Sequence, residues 1–263
     1  MSAFADASFC YNCGAVLPKG RHPGDAAVWT LTDIGKAIGV VVIALIAISI
    51  PAGAVALVIA GGDDIEGNAA ALTVGIGASL FLELALLAAA VQFSVRKYGL
   101  PLGALGLRRP ERGGFWLTLG LGIGLVIGGL GINFVYFVGL AAIGIEPDTD
   151  LPEEAYKSAG PLIAVALLSL AFAPIMEEIF FRGFVFEGFR ARWGVGSAAL
   201  ASGLLFALIH IGNPGTIYLI PPVVAIGAIF AWGYAYSGSL AVSLLAHFMF
   251  NLIAFTVGVA QNS

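Results

Sequence analysis

Residues 161–190 read PLIAVALLSLAFAPIMEEIFFRGFVFEGFR, an apolar run broken by Glu177, Glu178 and Arg182. A helix of about 20 apolar residues crosses the roughly 30 Å hydrocarbon core of a bilayer, and Phe184-Val185-Phe186 resumes the apolar pattern beyond the charges. A charged side chain at that depth costs roughly 2.5–3.5 kcal/mol even on lenient insertion scales. A chain keeps several of them only where they pair with one another or do chemistry. The stretch therefore predicts a membrane-spanning helix with a polar cluster inside it.

The rest of the chain agrees with that reading. Of 263 residues, 59% are hydrophobic and 11% charged, whereas a soluble domain carries about 25% charged residues. Such a chain cannot cover a water-facing surface. Apolar runs predict seven helices, at 34–60, 70–95, 115–145, 161–190, 195–211, 216–236 and 239–260. The fifth is at the lower limit for spanning. The expected fold is an all-α, polytopic transmembrane helix bundle. It divides into a polar tail (1–33), three N-terminal transmembrane helices (34–145) and a four-helix core (146–263). The tail has no apolar segment of the kind found in a secretory signal peptide.

Charge sorts by loop. Segments 61–68 and 146–160 hold eight acidic residues (Asp63, Asp64, Glu66, Glu146, Asp148, Asp150, Glu153, Glu154) and one base, Lys157. The other eleven of the twelve Lys and Arg fall on the alternate connections, Arg182 counted among them. The positive-inside rule then puts the N-terminus in the cytoplasm and the C-terminus outside. A compact, Gly/Ala-rich chain without eukaryotic targeting signals suggests an integral protein of a prokaryotic plasma membrane. The partners expected are the lipid bilayer and a membrane-associated substrate, with no nucleic acid.

Three smaller features have plain readings. Gly120, Gly124 and Gly128 have the GxxxG spacing that brings helices close together. A nucleotide-binding role for them fails, because no strand precedes them and the segment lies in lipid. Glu83 stands mid-span in the second helix, to line a cavity, pair with a cation or stay protonated. Cys10-Tyr-Asn-Cys13-Gly resembles one knuckle of a zinc ribbon, a half-site that His22 and Asp25, or a second chain, could complete.

The polar clusters point to hydrolysis. Glu178 and Arg182, four apart, share a helix face and are expected to pair as structural support. That leaves Glu177 as the reactive carboxylate, three residues after a helix-kinking Pro174. His210 follows Phe206 by four, and Asn251 follows His247 by four. Glu177, His210 and His247 have the donor types of a catalytic divalent-metal site, zinc foremost, with water in an open position. Alternatively, Glu177 and His210 polarise a water without metal while His247 and Asn251 stabilise the oxyanion. No Ser, Cys or Thr sits in a comparable cluster, which favours activated water over a covalent route.

Glu177-Glu178-Ile-Phe-Phe-Arg182, Phe206-Ala-Leu-Ile-His210 and His247-Phe-Met-Phe-Asn251 resemble the three signature motifs of the CAAX-prenyl-protease and bacteriocin-processing (CPBP, or Abi) intramembrane proteases. The resemblance covers roughly residues 161–255, Gly183 included. It implies a helical intramembrane endopeptidase, generally classed with metalloproteases, acting on a membrane-associated protein or peptide. By matching positions, Glu177 and His210 would activate the water, His247 and Asn251 would complete the site, and Glu178 and Arg182 would support it. The first three helices and the CxxC tail inherit nothing from it. Two other functions compete: a non-catalytic immunity or scaffold protein of the same fold, and a cation-coupled transporter using Glu83, Glu177 and the histidines as a relay. The intact polar set argues against the first, and the lack of internal repeats against the second.

Overall fold

The computed structural model describes residues 27–62, 64–110, 113–147, 151–211 and 214–262. Cys10, Cys13, His22 and Asp25 of the tail knuckle lie outside them. The regular elements are all helical. Helix α1 is Leu31–Ile59, α2 is Ala69–Val91 prolonged by a π-helical turn at Gln92–Arg96, and α3 is Gly114–Ala142. After a single turn at Glu154–Lys157 comes a helical stretch, Ala159–Leu208, that Gly194 breaks with φ 75° and ψ 177°. A side chain is strained at that φ, which glycine tolerates. The break separates α4 (159–193) from α5 (195–208); α6 is Ile220–Ser237 and α7 Leu240–Asn262.

Six stretches are long and apolar enough to cross a membrane, the broken one counted once. Division at Gly194 yields the seven helices expected, with α5 only about 21 Å long at 1.5 Å per residue. The chain is an integral membrane protein. The sixth helix starts at Ile220 rather than near 216, because Pro214–Leu219 winds as a 3₁₀ turn first. Pro221 and Pro222 then fall in the opening turn of α6, where a missing N–H costs no bond.

Large apolar side chains point outward. Ile43, Ile50 and Val58 of α1 are each two-thirds or more exposed, a surface that lipid covers and water would not. Phe115 and Trp116, also exposed, begin α3 beside the basic loop, as aromatic residues do at a bilayer interface.

One end of the bundle is tied by polar bonds. Thr30 and Asp33 form a capping box at the start of α1. Asp33 also accepts bonds from Lys97 and from Tyr98 Oη (2.7 Å), just past α2. That carboxylate raises the Lys97 ammonium pKa above its ordinary value. Arg108 Nε donates to the Gly238 carbonyl (2.7 Å) and Leu240 N to that of Gly106 (3.0 Å), which fastens the basic loop to the α6–α7 turn. Arg182 is not among these surface bases. It is fully buried inside α4, so ten bases, not eleven, remain for the charge partition.

The glycines of α3 do not act as their spacing suggests. A Cβ on Gly120 or Gly124 would meet nothing within 4 Å. Side chains instead seat on Gly122 (Leu245 of α7) and Gly129 (Phe250 of α7 and Ile226 of α6), seven residues apart. Of the GxxxG row only Gly128 touches a neighbour, Ile229 of α6 at an ordinary 3.7 Å, so the row does not form the close contact. Backbones come close at two places: between α5 and α6, where a Cβ on Gly203 would lie 2.6 Å from the Val224 carbonyl and one on Gly227 2.9 Å from Gly203 Cα, and at Gly183 of α4, where a Cβ would lie 2.4 Å from the Leu105 carbonyl.

Helix α4 is irregular in a specific way. Leu167–Phe172 and Glu178–Phe186 are π-helical and flank the α-helical turn Ala173–Glu177. Pro174, which has no N–H to donate, comes just after the first wide turn. Carbonyls in these wide turns accept bonds from other elements. Phe181 O takes Ser202 Oγ (2.8 Å), Phe184 O takes Trp29 Nε1 (2.8 Å) and Ser169 O takes Asn251 Nδ2 (2.9 Å).

Single cysteines at Glu66 and at Arg109, in a variant lacking Cys10 and Cys13, test the orientation that the charge partition predicts. In intact cells a membrane-impermeant maleimide is expected to label position 66 and spare position 109. Equal labelling of the two would overturn that topology.

Candidate active site

Glu178 is fully buried at the point where α4 changes from α- to π-helical winding. Its Oε1 lies 2.8 Å from Arg182 Nη1 and 3.0 Å from His247 Nδ1 of α7. One carboxylate oxygen thus joins two basic groups from two helices. Arg182 also reaches the Gly227 carbonyl of α6 at 3.4 Å and lies against the ring faces of Phe206 (4.4 Å) and Phe230 (5.6 Å), while its Nε has no hydrogen-bond partner. Rings over a guanidinium offset part of its desolvation.

Phe206 organises the neighbourhood. Its ring touches Phe181 (5.3 Å), His210 (4.7 Å) and His247 (5.8 Å) besides Arg182. The phenylalanine of Phe206-x-x-x-His210 is therefore the packing surface on which both imidazoles are set. His210 stands just past the C-terminal end of α5, where Phe206 is within reach. Its Nδ1 is 2.8 Å from the Phe206 carbonyl. A carbonyl only accepts, so Nδ1 carries the hydrogen and Nε2 is left as a lone pair. The same logic holds at His247, whose Nδ1 faces the Arg182-paired Glu178 carboxylate and whose Nε2 points to Glu177 Oε2 at 3.6 Å. That separation is too long for a hydrogen bond. Asn251, one turn along α7, uses one amide hydrogen on Ser169 O and keeps the second.

A cavity of about 380 Å³ joins these groups. Glu177, His210, His247 and Asn251 all line it, between apolar walls that include Leu45, Leu82, Leu168 and Ile209. Glu178 and Arg182 stay behind the wall. Glu177 Oε2 is buried and receives no hydrogen bond.

The residue that the sequence reading left without a partner is Glu83. It projects from α2 into the same cavity, is 7% exposed, and faces the space that Glu177 lines from α4. The signal available was its depth, since an ionisable group at mid-span is a functional candidate by default. What it faces lay on another helix and could not be read from spacing.

The donor types suit zinc, and both imidazoles have Nδ1 held by an acceptor, as zinc-ligating histidines do. The side chains line one cavity without meeting at a single point, however. Among the described residues no three His, Cys, Asp or Glu side chains are placed to hold a metal ion, Glu177, His210 and His247 included.

Glu178→Ala would leave Arg182 and His247 Nδ1 without their shared acceptor. Breaking a buried pair from one side costs about 3–5 kcal/mol. A clear fall in thermal midpoint is expected, and Glu178→Ala/Arg182→Ala should recover part of it. An unchanged midpoint in the single variant would refute the supporting role.

Residues 159–253 match the family model described as type II CAAX prenyl endopeptidase, Rce1-like. The match contains all three motifs and ends two residues beyond Asn251; α1, α2 and α3 lie outside it. No curated protein matches the chain, and no solved structure does.

Proposed function

We propose that this protein is an intramembrane endopeptidase that hydrolyses a peptide bond in a membrane-associated protein or peptide with a water activated by Glu177 and His210. The observation that carries the reading is that Glu177, His210, His247 and Asn251 all line one cavity, within the region that matches the CAAX endopeptidase family. Of the two routes open at the sequence level, the donor geometry supports direct activation of water.

The chemistry follows from the atoms each residue presents. Glu177 takes one proton of the water as its oxygen bonds to the scissile carbonyl carbon. His210 Nε2 orients the same water by accepting its other hydrogen. The carbonyl oxygen becomes an oxyanion beside α7. The free Asn251 amide hydrogen faces it, and His247 when protonated donates from Nε2 with its Nδ1 bond to Glu178 unchanged. Glu177 then returns its proton to the departing nitrogen, the C–N bond breaks, and a carboxyl group and an amine result. The apolar walls keep bulk water from competing with the single reacting one.

Cleavage of a fluorogenic reporter peptide by purified protein in detergent tests this assignment. Glu177→Gln and His210→Ala are expected to lower kcat by about 100- to 10,000-fold with thermal midpoints near wild type. Asn251→Ala should lose about 100-fold, the scale of one oxyanion donor. Wild-type turnover by Glu177→Gln would end the proposal.

Exhaustive chelation separates the two routes. Activity is expected to survive it, whereas loss that added zinc alone restores would put a metal on the water.

A further inference from the structure

A peptide cut inside the bilayer has to leave its helix at the scissile bond, and the backbone groups it then releases find no water to bond. The four groups assigned to the reacting carbonyl and its water stand on α4, on α7 and just after α5. The peptide units on either side of that carbonyl need partners of their own, and most of the wall is aliphatic. Ser169 offers no hydroxyl hydrogen, because its Oγ donates back to the Val165 carbonyl (2.7 Å). Helix α2 differs. Ser79 and Glu83 both line the cavity from it, four residues apart and so on one face. Glu83 is 7% exposed, and its buried Oε2 receives no hydrogen bond. Thr73, earlier on the same helix, turns its hydroxyl back to the Ala69 carbonyl (2.7 Å), whereas Ser79 Oγ has no partner among the described residues.

The spacing of the two fits a strand. Four residues of α-helix rise about 6 Å. In an extended chain the backbone groups that face one side recur every second residue, about 6.6 Å apart. An extended peptide lying along α2 therefore meets Ser79 and Glu83 with successive groups of one edge. The residue between them presents its carbonyl to the other edge, toward the walls that α4 and α7 form.

We propose that Ser79 and Glu83 are a backbone-binding strip for the substrate: Glu83 Oε2 accepts an N–H of an extended segment, Ser79 Oγ bonds the group two residues along on the same edge, and the scissile carbonyl between them faces Glu177 and Asn251. The inference rests on the peptidase reading for what the ligand is. It names the substrate as a segment able to unwind over about three residues, held by its backbone and not by its side chains. It also gives α2, a helix outside the region that matches the endopeptidase family, a part in the site.

Binding is read apart from cleavage by fluorescence anisotropy of a fluorescein-labelled form of the reporter peptide on the Glu177→Gln variant in detergent. Adding Ser79→Ala or Glu83→Leu to that variant should weaken binding about 5- to 10-fold, the scale of one hydrogen bond. Ser79→Thr, which keeps the hydroxyl, should recover most of the loss. Reporters N-methylated at one peptide bond at a time locate the contact. At one bond the methyl group should weaken binding to Glu177→Gln and cost nothing further once Glu83→Leu is added. With Glu177 intact, Ser79→Ala and Glu83→Leu should raise KM and leave kcat within about threefold, as loss of uniform binding does. Binding unchanged in Ser79→Ala and Glu83→Leu, no binding at all, or an N-methyl penalty that Glu83→Leu removes at no position would overturn the inference, and cleavage by the wild-type protein would then leave the peptidase reading intact. Binding that follows the expected pattern, with no cleavage by the wild-type protein, would sink the peptidase reading and leave the strip standing.

Discussion

A single carboxylate oxygen, Glu178 Oε1, sets the geometry of the core. In hydrocarbon neither it nor Arg182 could exist alone, and neither could turn to solvent for relief. The pair therefore has to be completed from inside. Arg182 takes the Gly227 carbonyl and the face of Phe206, while Glu178 takes His247. Those partners come from α6, α5 and α7, so satisfying one ion pair in α4 fixes the positions of three other helices. The backbone contact between Gly203 and Gly227 is part of the same demand, since the Gly227 carbonyl must come within reach of the guanidinium. Because the pair costs energy to bury, its value lies in register more than in stability.

The wide turns of α4 serve that arrangement. A regular α-helix uses its carbonyls internally, and in a membrane there is no water to satisfy one that is released. The π-helical stretches release carbonyls where another element can reach them. Trp29, Ser202 and Asn251 bond to three of these, which ties the chain before α1, helix α5 and helix α7 to α4. Irregular winding and inter-helix fastening are thus one feature. It coincides with the functional cluster, as π-helical turns frequently do.

What was legible in the sequence was local. Apolar run length predicts seven helices because a bilayer imposes one length on every span, and the three polar motifs stand out because hydrocarbon makes each charge conspicuous. The Glu178–Arg182 spacing survives even though that stretch is π- and not α-helical. What depends on how helices face one another was not legible. The GxxxG row of α3 has the right spacing but does not form the close contact. The link from Glu178 to His247 and the cavity shared by Glu83 and Glu177 each join residues far apart in sequence, which no periodicity encodes. Gly203 and Gly227 stand seven and six residues from the other glycine of their helices, Gly196 and Gly233, so neither has the GxxxG spacing.

The helix that encloses the cavity on its fourth side is held differently. α1 is pinned at its base by Asp33 to Lys97 and Tyr98, and by the neighbouring Trp29 to Phe184. Above that base it leans mainly on α2, and Val41 and Leu45 are its share of the cavity wall. Lipid tails are as apolar as those side chains and can take their place at little cost, whereas no lipid can replace the polar bonds that join α4 to α7. On this side the cavity wall is apolar, and the polar ties of α1 are gathered at its basic end. On that side a polypeptide already dissolved in the bilayer is separated from the cavity by apolar side chains alone, with no polar bond to break.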